Sequence, residues 1–404
     1  MGRSQVYGSS LERQRLVRTD PATGTVRDDG KLALDGEGRL PVDKTSKLEN
    51  LELAGVNGNW WIGLSILHTL FAREHNTIVD RLRIEYPAAA GEWLFQKARL
   101  INAALMAKVH TVEWTPALMN SPEGRLGLRA NWWGILGEHY ARAYGRASKD
   151  ELLSGVLGSE PDQYGVPYAM TEEFTAVYRM HSLIPDEFSL RRQADNQEIF
   201  KGDFSDVGGG AVRGIYGKVG FDNAVYSLAT SHPGALVLHN FPNALRKLNK
   251  KAEDDIFVDV AATDILRDRE RGVPRYCAFR RHFNMSVPKS FADLTDNKDW
   301  QDELKSVYAD VEDVDLLVGM HCEKAPPEFG FSDTAFRVFI LMATRRLKSD
   351  RFFTTDFTPE VYTPVGMDWI ADNSLRTVLS RHLPQLKPHF ADRRNVFFPW
   401  SEKG

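Results

Sequence analysis

Tyr178 and His181, three positions apart, are the residues whose types and spacing best suit catalysis. In a helical segment, side chains three apart lie on one face, so both would project toward one cavity. A neutral histidine can ligate haem iron, and a neighbouring phenol suits one-electron chemistry. The same spacing fits a hydrogen-bonded pair in a protein core, and the spacing alone favours that core pair.

Zinc is not indicated by the other histidines or by the cysteines. His68 and His75 lie seven positions apart, about two helical turns, without an HExxH pattern. The only cysteines are Cys277 and Cys322, which form no CxxC motif. Two cysteines in a chain of this length also exclude a disulfide-rich scaffold.

The composition indicates a large globular protein. The 404 residues are 42% hydrophobic and 26% charged, with a net charge of −4, which excludes a disordered chain and a general nucleic-acid binder. No apolar run approaches the ~18 residues of a membrane-spanning helix. We expect a cytoplasmic or peripherally membrane-associated location.

Two long helices are predicted in the first third of the chain. From Trp60 onward, apolar residues recur at helical spacing until Pro87, which should end the first helix. The second should run to about Trp114. Arg73 and Glu74 are expected on the solvent-facing side of the first helix.

The helix that should carry the tyrosine and the histidine is predicted over Tyr168–Leu183. Thr171 is a suitable N-cap, and Pro185 should stop the helix. If this helix is continuous, it positions Tyr178 and His181 on a common face.

The rest of the chain reads as helices joined by long loops. Residues 1–58 are polar and turn-rich, with one short hairpin expected, and alternating strand patterns are nearly absent. We therefore predict a mainly α fold in a single domain over residues 1–404. Further helices are expected over residues 224–230, 244–250, 258–269, 300–308, 311–317, 334–348 and 375–382.

Several long segments resemble the haem peroxidase–cyclooxygenase superfamily, and within it the fatty-acid α-dioxygenases. The likeness runs from about Ser4 to about Asn373. The superfamily motifs match LHTLFAREHN (Leu67–Asn76), DILRDRERGVPRYCAFR (Asp264–Arg280), VEDVDLLVG (Val311–Gly319) and RRLKSDRFF (Arg345–Phe353). The α-dioxygenase segments match AKVHTVEWT (Ala107–Thr115), GLRANWWGILG (Gly127–Gly137) and TEEFTAVYRMHSLIPD (Thr171–Asp186).

This resemblance implies a helical domain that binds haem b and assigns roles to five residues. His181 would be the proximal ligand of the haem iron, and Tyr178 would carry a tyrosyl radical. His110, Thr115 and Arg346 would hold the carboxylate of the substrate. An arginine can bind a carboxylate through two hydrogen bonds, and a histidine and a hydroxyl add donors.

The reaction implied by the resemblance joins O2 to a fatty acid at Cα, giving a 2-hydroperoxy fatty acid after activation by a peroxide. The alternatives are a generic haem peroxidase that reduces hydroperoxides and an inactive truncated homologue. His110 together with Arg346 favours the dioxygenase, because a peroxidase needs no carboxylate clamp.

The sequence departs from the family pattern at its N-terminus. The family places a distal histidine N-terminal to the segment that Ser4–Gly8 resembles, and this chain begins at Met1. Of the family's calcium loop only Ser4 matches, whereas calcium takes 6–8 oxygen ligands. We therefore expect a chain that lacks the distal-haem helix, has no complete calcium loop and activates peroxide slowly.

Overall fold

The computed structural model describes residues 3–165, 169–249 and 257–400. Within these ranges the chain is mainly α-helical, so the predicted fold class is confirmed. The α-helices are Arg3–Tyr7 (α1), Leu11–Leu16 (α2), Ile62–Glu85 (α3), Gly91–Val109 (α4), Thr115–Leu118 (α5), Pro122–Trp133 (α6), Gly137–Tyr144 (α7), Glu151–Ser154 (α8), Glu172–Val177 (α9), Ala211–Val219 (α10), Phe221–Thr230 (α11), Asn243–Arg246 (α12), Val260–Glu270 (α13), Tyr276–His282 (α14), Phe291–Leu294 (α15), Lys298–Val307 (α16), Leu316–Cys322 (α17), Asp333–Lys348 (α18), Pro359–Tyr362 (α19), Pro364–Asp372 (α20) and Leu375–His382 (α21).

Other regular structure is sparse in the described ranges. A π-helix spans His110–Trp114, and short 3-10 helices span His181–Leu183, Val311–Asp313 and Pro384–His389. Strands Glu187–Arg191 (β1) and Glu198–Asp203 (β2) form an antiparallel hairpin, and Leu248–Asn249 (β3) pairs with Phe257–Val258 (β4). The buried side of β1 packs against α11, so the hairpin covers one edge of the helical core.

Most predicted helices are confirmed, with shifted ends, but two differ in kind. The helix predicted over residues 244–250 stops at Arg246, because the backbone of Lys247 is no longer helical and β3 follows; its predicted end, Lys250, lies outside the described residues. The helix predicted over residues 311–317 is a 3-10 turn, followed by extended backbone at Val314 and then by α17.

The N-terminal 58 residues contain two short helices that the sequence reading missed. Five- and six-residue helices are too short to show an apolar period, although Ser10 caps α2 by accepting the amide of Arg13. Two isolated bridges, between Thr19 and Val26 and between Val42 and Glu52, take the place of the expected hairpin.

The long helices α3 and α4 pack together and bind the N-terminal segment through a buried polar chain. The Asn102 amide donates to the carbonyl of Phe71 and to the Tyr7 hydroxyl, both at 2.8 Å. Tyr7 in turn donates to Nδ1 of His75 at 3.0 Å, and Nε2 of His75 donates to the Gly30 carbonyl at 3.0 Å. Burial lowers the pKa of His75 to about 3, so this histidine is a neutral core residue.

The expectation that Glu74 faces solvent is wrong. Its carboxylate is fully buried and accepts two hydrogen bonds from Arg381, at 2.6 and 2.7 Å. His382 and the Trp369 indole complete the set at 2.8 and 3.0 Å. Partners about 300 residues away thus make a polar residue part of the core, because a buried charge must be paired.

The arginine-rich segment of α13 and α14 is held by ion pairs to its neighbours. Arg267 pairs with Glu172 of α9 at 2.6 Å. Arg269 and Arg275 both bind the buried carboxylate of Asp315, which begins α17. These arginines fix α9, α13 and α17 relative to one another.

The end of α4 is tied to the last helices by two buried charged side chains. Lys108 donates to three carbonyl oxygens at the end of α20, at 2.7–2.9 Å. Glu113, in the π-helix, accepts the amide of Leu375 at 3.1 Å, at the N-terminus of α21. Burial raises the pKa of Glu113 to about 7, because neighbouring donors only partly replace water.

Glu113 should make stability depend on pH. A carboxyl whose pKa is about 7 when folded and about 4.3 when unfolded stabilises the fold below pH ~4, and the contribution declines as pH rises to about 7. At pH 8 the full cost is about 4 kcal/mol, which Glu113→Gln removes. Urea unfolding at pH 5 and pH 8 should show the variant gaining stability relative to the parent mainly at pH 8.

The matched control is Glu123→Gln, which alters an exposed glutamate in the first turn of α6. This variant should follow the parent at both pH values. An equal effect of Glu113→Gln at pH 5 and pH 8 would contradict the assignment.

Candidate functional site

The tyrosine and the histidine do not share a helix. Thr171 caps α9 as predicted, accepting the amide of Phe174, but the helix ends at Val177. Tyr178 (φ −87°, ψ 23°) and Met180 (φ −100°, ψ 30°) leave the helical conformation. The prediction of one helix over residues 168–183 is therefore wrong, and its first residue, Tyr168, lies outside the described residues.

His181 opens a short 3-10 turn and faces a carboxylate. Its Nδ1 lies 3.6 Å from Oδ2 of Asp264, and neither atom has a hydrogen-bond partner in the described residues. Nδ1 is buried while 29% of the side chain is exposed, so the accessible part is the rest of the side chain, which includes Nε2. Burial lowers the pKa of His181, which favours the neutral imidazole, although Asp264 opposes this effect.

The carboxylate of Asp264 faces both His181 and an arginine. The other oxygen of its carboxylate lies 3.2 Å from the guanidinium of Arg179. The side chain of Asp264 is 7% exposed, and desolvation raises its pKa despite both neighbours. The imidazole is thus oriented by a carboxylate that is itself positioned from α13.

A loop packs closely on the backbone beside His181. The amide of Gly234 donates to the Leu183 carbonyl at 3.0 Å, and the Asn240 amide to the Ser182 carbonyl at 3.4 Å. A Cβ at Gly234 would lie 2.1 Å from the Ser182 oxygen, so only glycine fits. The Phe241 ring completes this wall, 5.4 Å from the His181 ring.

Tyr178 lies between two phenylalanine rings. Phe174 stacks on one side, with centroids 5.2 Å apart and planes at 20°, and Phe339 on the other, at 5.6 Å and 6°. Tyr178 is 37% exposed, and desolvation alone raises its pKa to about 12. The phenol is therefore protonated at neutral pH, with its plane set by the two neighbours.

His110 begins the π-helix that interrupts the end of α4. Its ring stacks on Trp114, with centroids 4.8 Å apart, and lies 6.1 Å from Phe339. Burial lowers the pKa of His110 to about 4, so the ring is neutral at physiological pH. A π turn of this kind often occurs at functional sites.

His110 and Arg346 line the same small cavity. It has a volume of about 160 Å³, and its remaining lining residues are Met106, Ala107, Thr111, Ala343, Leu347 and Phe353. Arg346 is 8% exposed, whereas its neighbours Arg345 and Arg351 bind the Gln163 carbonyl and Asp356. An arginine and a neutral imidazole in a mostly apolar cavity suit an anionic group attached to an apolar chain.

Thr115 does not line this cavity. Its hydroxyl and its amide both donate to the carbonyl of His110, the hydroxyl at 2.7 Å. It therefore holds the π turn together. Thr111, one residue after His110, is the threonine in the lining.

Three residues of the site were not identified as functional from the sequence. Asp264 lies in a family-like motif, but its contact with His181 depends on how α13 packs. Phe339 lies seven residues before Arg346, a spacing that places both on one side of α18. Gly234 carried no pattern of its own.

This mainly helical fold, with a partly accessible histidine that faces a buried carboxylate, suits a protein of the haem peroxidase class. The family model of the animal haem peroxidases matches residues 2–397. The chain belongs to the animal haem peroxidase family.

Plant α-dioxygenases are among its similar proteins. Alpha-dioxygenase PIOX of Oryza sativa subsp. japonica is 39% identical over 98% of this chain, and alpha-dioxygenase 1 of Arabidopsis thaliana is 38% identical over 98%. The chain spans 65% and 63% of the lengths of these relatives, just under two thirds.

Solved structures give the same likeness. The rice fatty acid alpha-dioxygenase, in a tyrosine-to-phenylalanine variant with palmitic acid, superimposes with a TM-score of 0.91 at 38% identity, over 99% of this chain and 66% of that chain. Peroxidase A of Dictyostelium discoideum shares the fold alone, with a TM-score of 0.73 at 19% identity, over 94% of this chain and 68% of that chain.

The residues around His181 fit the haem that the family implies. A histidine that ligates iron through one nitrogen usually directs the other toward a carboxylate or carbonyl. Here buried Nδ1 faces Asp264, and the side containing Nε2 is accessible.

The described residues contain no complete counterpart of a calcium loop around Ser4. Ser4, the one residue that matches the calcium loop of the family, lies in α1, where its carbonyl accepts the amide of Gly8 at 2.9 Å. Among the residues described, no three acidic, histidine or cysteine side chains are placed to hold a metal ion. No helix in these ranges is long and apolar enough to cross a membrane.

Gly234→Ala should disturb haem binding through the backbone. The added methyl group would lie 2.1 Å from the Ser182 carbonyl, so the segment carrying His181 must move. We expect the Kd for haem, from hemin titration of the Soret band, to rise by about tenfold, as for a lost orienting partner of a metal ligand.

Two variants calibrate this test. Gly217→Ala, in α10 where a Cβ meets nothing within 4 Å, should bind haem like the parent. His181→Ala should lose the histidine-ligated band. Unchanged haem affinity in Gly234→Ala would show that the loop does not position His181.

Proposed function

We propose that this protein is a haem-dependent fatty-acid α-dioxygenase, which converts a fatty acid and O2 to a 2-hydroperoxy fatty acid. The observation that carries the proposal is that His110 and Arg346 line the same cavity. The ring of Phe339 contacts both His110 and Tyr178, and so links this cavity to the phenol. A carboxylate anchored there directs the first carbons of its chain toward the phenol. The likeness to plant α-dioxygenases supports the same reaction.

Substrate binding is the role of the cavity. The guanidinium of Arg346 binds the carboxylate, and neutral His110 contributes one N–H donor. The apolar lining excludes water, which strengthens both interactions. Thr115 contributes indirectly by holding the carbonyl of His110.

Tyr178 carries the chemistry between cofactor and substrate. When bound at His181, haem supplies the one-electron oxidation of the phenol, with a peroxide as oxidant. The phenoxyl oxygen then takes a hydrogen atom from Cα, which leaves a carbon radical and restores the phenol. O2 adds to this carbon, and the phenol O–H returns a hydrogen atom to give the hydroperoxide and the phenoxyl again.

A peroxidase that reduces hydroperoxides is the second candidate. The exposed fraction of Tyr178, 37%, favours it, because an accessible phenoxyl can take electrons from small donors. The two functions differ in their need for the carboxylate cavity.

Tyr178→Phe should abolish O2 uptake with a fatty acid while leaving the haem spectrum unchanged. The substitution keeps the stacked ring and removes only the hydroxyl, so packing should change little. The control is Tyr144→Phe, at a 77% exposed tyrosine in α7. O2 consumption by Tyr178→Phe at the parent rate would rule out the radical mechanism and leave the peroxidase.

Arg346→Ala should lower kcat/KM for a fatty acid by about 30- to 5,000-fold. This corresponds to a loss of about 2–5 kcal/mol of transition-state stabilisation, the usual cost of truncating one partner of a buried charge pair. The control is Arg345→Ala on the same helix, where the arginine binds the Gln163 carbonyl at the surface. A methyl ester of the same acid should be a poor substrate for the parent. Equal effects of the two alanine variants would contradict the assignment of Arg346.

A further inference from the structure

Phe339 is the residue that contacts both halves of the proposed site. Its ring lies nearly parallel to Tyr178, with centroids 5.6 Å apart and planes at 6°. Toward the cavity, the same ring lies 6.1 Å from His110. One side chain therefore contacts both Tyr178, the radical-forming residue of the proposal, and His110, which would help to hold the carboxylate.

The Phe339 ring is itself fixed. It is 2% exposed, and Phe331 meets it edge-on at 5.8 Å and 72°, while Trp114 lies 6.3 Å away. A ring packed by aromatic neighbours on several sides cannot shift without disturbing them. Its position is therefore as well defined as that of the backbone.

Helix α18 sets the distance from this ring to the anchor. Phe339 and Arg346 are seven residues apart, two turns or about 10 Å along the axis. Helical side chains lean toward the N-terminus, so the guanidinium of Arg346 extends back toward the level of Ala343 and Phe339. Phe339 itself does not line the cavity, so it acts by fixing the position of Tyr178 relative to His110 and the anchored carboxylate.

We propose that Phe339 is a specificity-determining residue: it sets which carbon of the anchored acid faces the Tyr178 oxygen. This inference rests on the proposed α-dioxygenase function. Neighbouring carbons of the chain differ by only about 1.5 Å in position, and a misplacement of 1 Å can cost about a hundredfold in rate. A fixed ring can therefore select C2 over C3.

The selected step is the same at either carbon. The phenoxyl oxygen of Tyr178 takes one hydrogen atom from C2 or C3, giving a phenol and a carbon radical. O2 adds to that carbon, and a hydrogen atom from the phenol completes the 2- or 3-hydroperoxide. Which product forms depends only on which carbon lies closer to the Tyr178 oxygen, and Phe339 sets that position.

The test compares Phe339→Leu and Phe339→Ala with the parent, all loaded with haem and supplied with palmitic acid and hydrogen peroxide. Products are reduced and the hydroxyl position is read by mass spectrometry. We expect kcat for C2 to fall about 10–100-fold and 3-hydroxy acid to appear, while KM changes less than threefold because His110 and Arg346 still anchor the carboxylate. A merely structural role would not move the position of oxygenation.

The matched control is Phe336→Leu, on the same helix. Phe336 packs against Phe329, with centroids 5.0 Å apart, and is not stacked on Tyr178 or His110. This variant should yield only the 2-hydroxy acid.

A second measurement tests the stack without haem or activity. In chain labelled with 3-fluorotyrosine, the 19F signal of Tyr178 is identified by its loss in Tyr178→Phe. Two stacked neighbours should block ring flips and give separate lines for the two ring orientations. Phe339→Ala should merge them into one line.

The outcomes separate the two proposals. Absence of oxygenation by the parent rejects the α-dioxygenase function, and with it the role of Phe339. A parent that forms the 2-hydroperoxide, with variants that form only that product at the parent rate, overturns the role of Phe339 alone. An unchanged 19F pattern in Phe339→Ala also overturns it, whether or not the variant is active.

Discussion

The segment from Tyr178 to His181 interrupts the regular helix between α9 and the 3-10 turn, so helix geometry does not place its side chains on one face. α9 ends at Val177, and the 3-10 turn begins only at His181. The two side chains are therefore positioned from outside, Tyr178 by stacked phenylalanines and His181 by Asp264 and the loop at Gly234. Everything else in the site depends on these external contacts.

The surrounding helices supply those contacts because ion pairs and hydrogen bonds from charged side chains to the backbone join them. Glu172, at the start of α9, binds Arg267 of α13, the helix that also carries Asp264. On the cavity side, Lys108 and Glu113 hold the end of α4 to α20 and α21. Charged residues thus connect the helices that surround the proposed site.

The sequence predicts structural features that depend on a local pattern of residues. It does not predict features that depend on packing between segments far apart in the chain. The periods of α3, α4 and α18 are local, so these helices could be predicted. The end of α9 and the burial of Glu74 depend on partners far along the chain. The hydroxyl of Thr115 binds the His110 carbonyl instead of lining the cavity, because of a π turn that leaves no apolar signature in the sequence.

That π turn is equivalent to one additional residue in an otherwise regular helix. In a continuous α-helix, the carbonyl of His110 would accept the amide of Trp114, whereas here it accepts that of Thr115. Each residue turns an α-helix by about 100°. Deletion of a single residue from the turn would therefore rotate the residues that follow it by about 100° relative to His110 and α4, so a one-codon change in length would alter which side chains face the cavity.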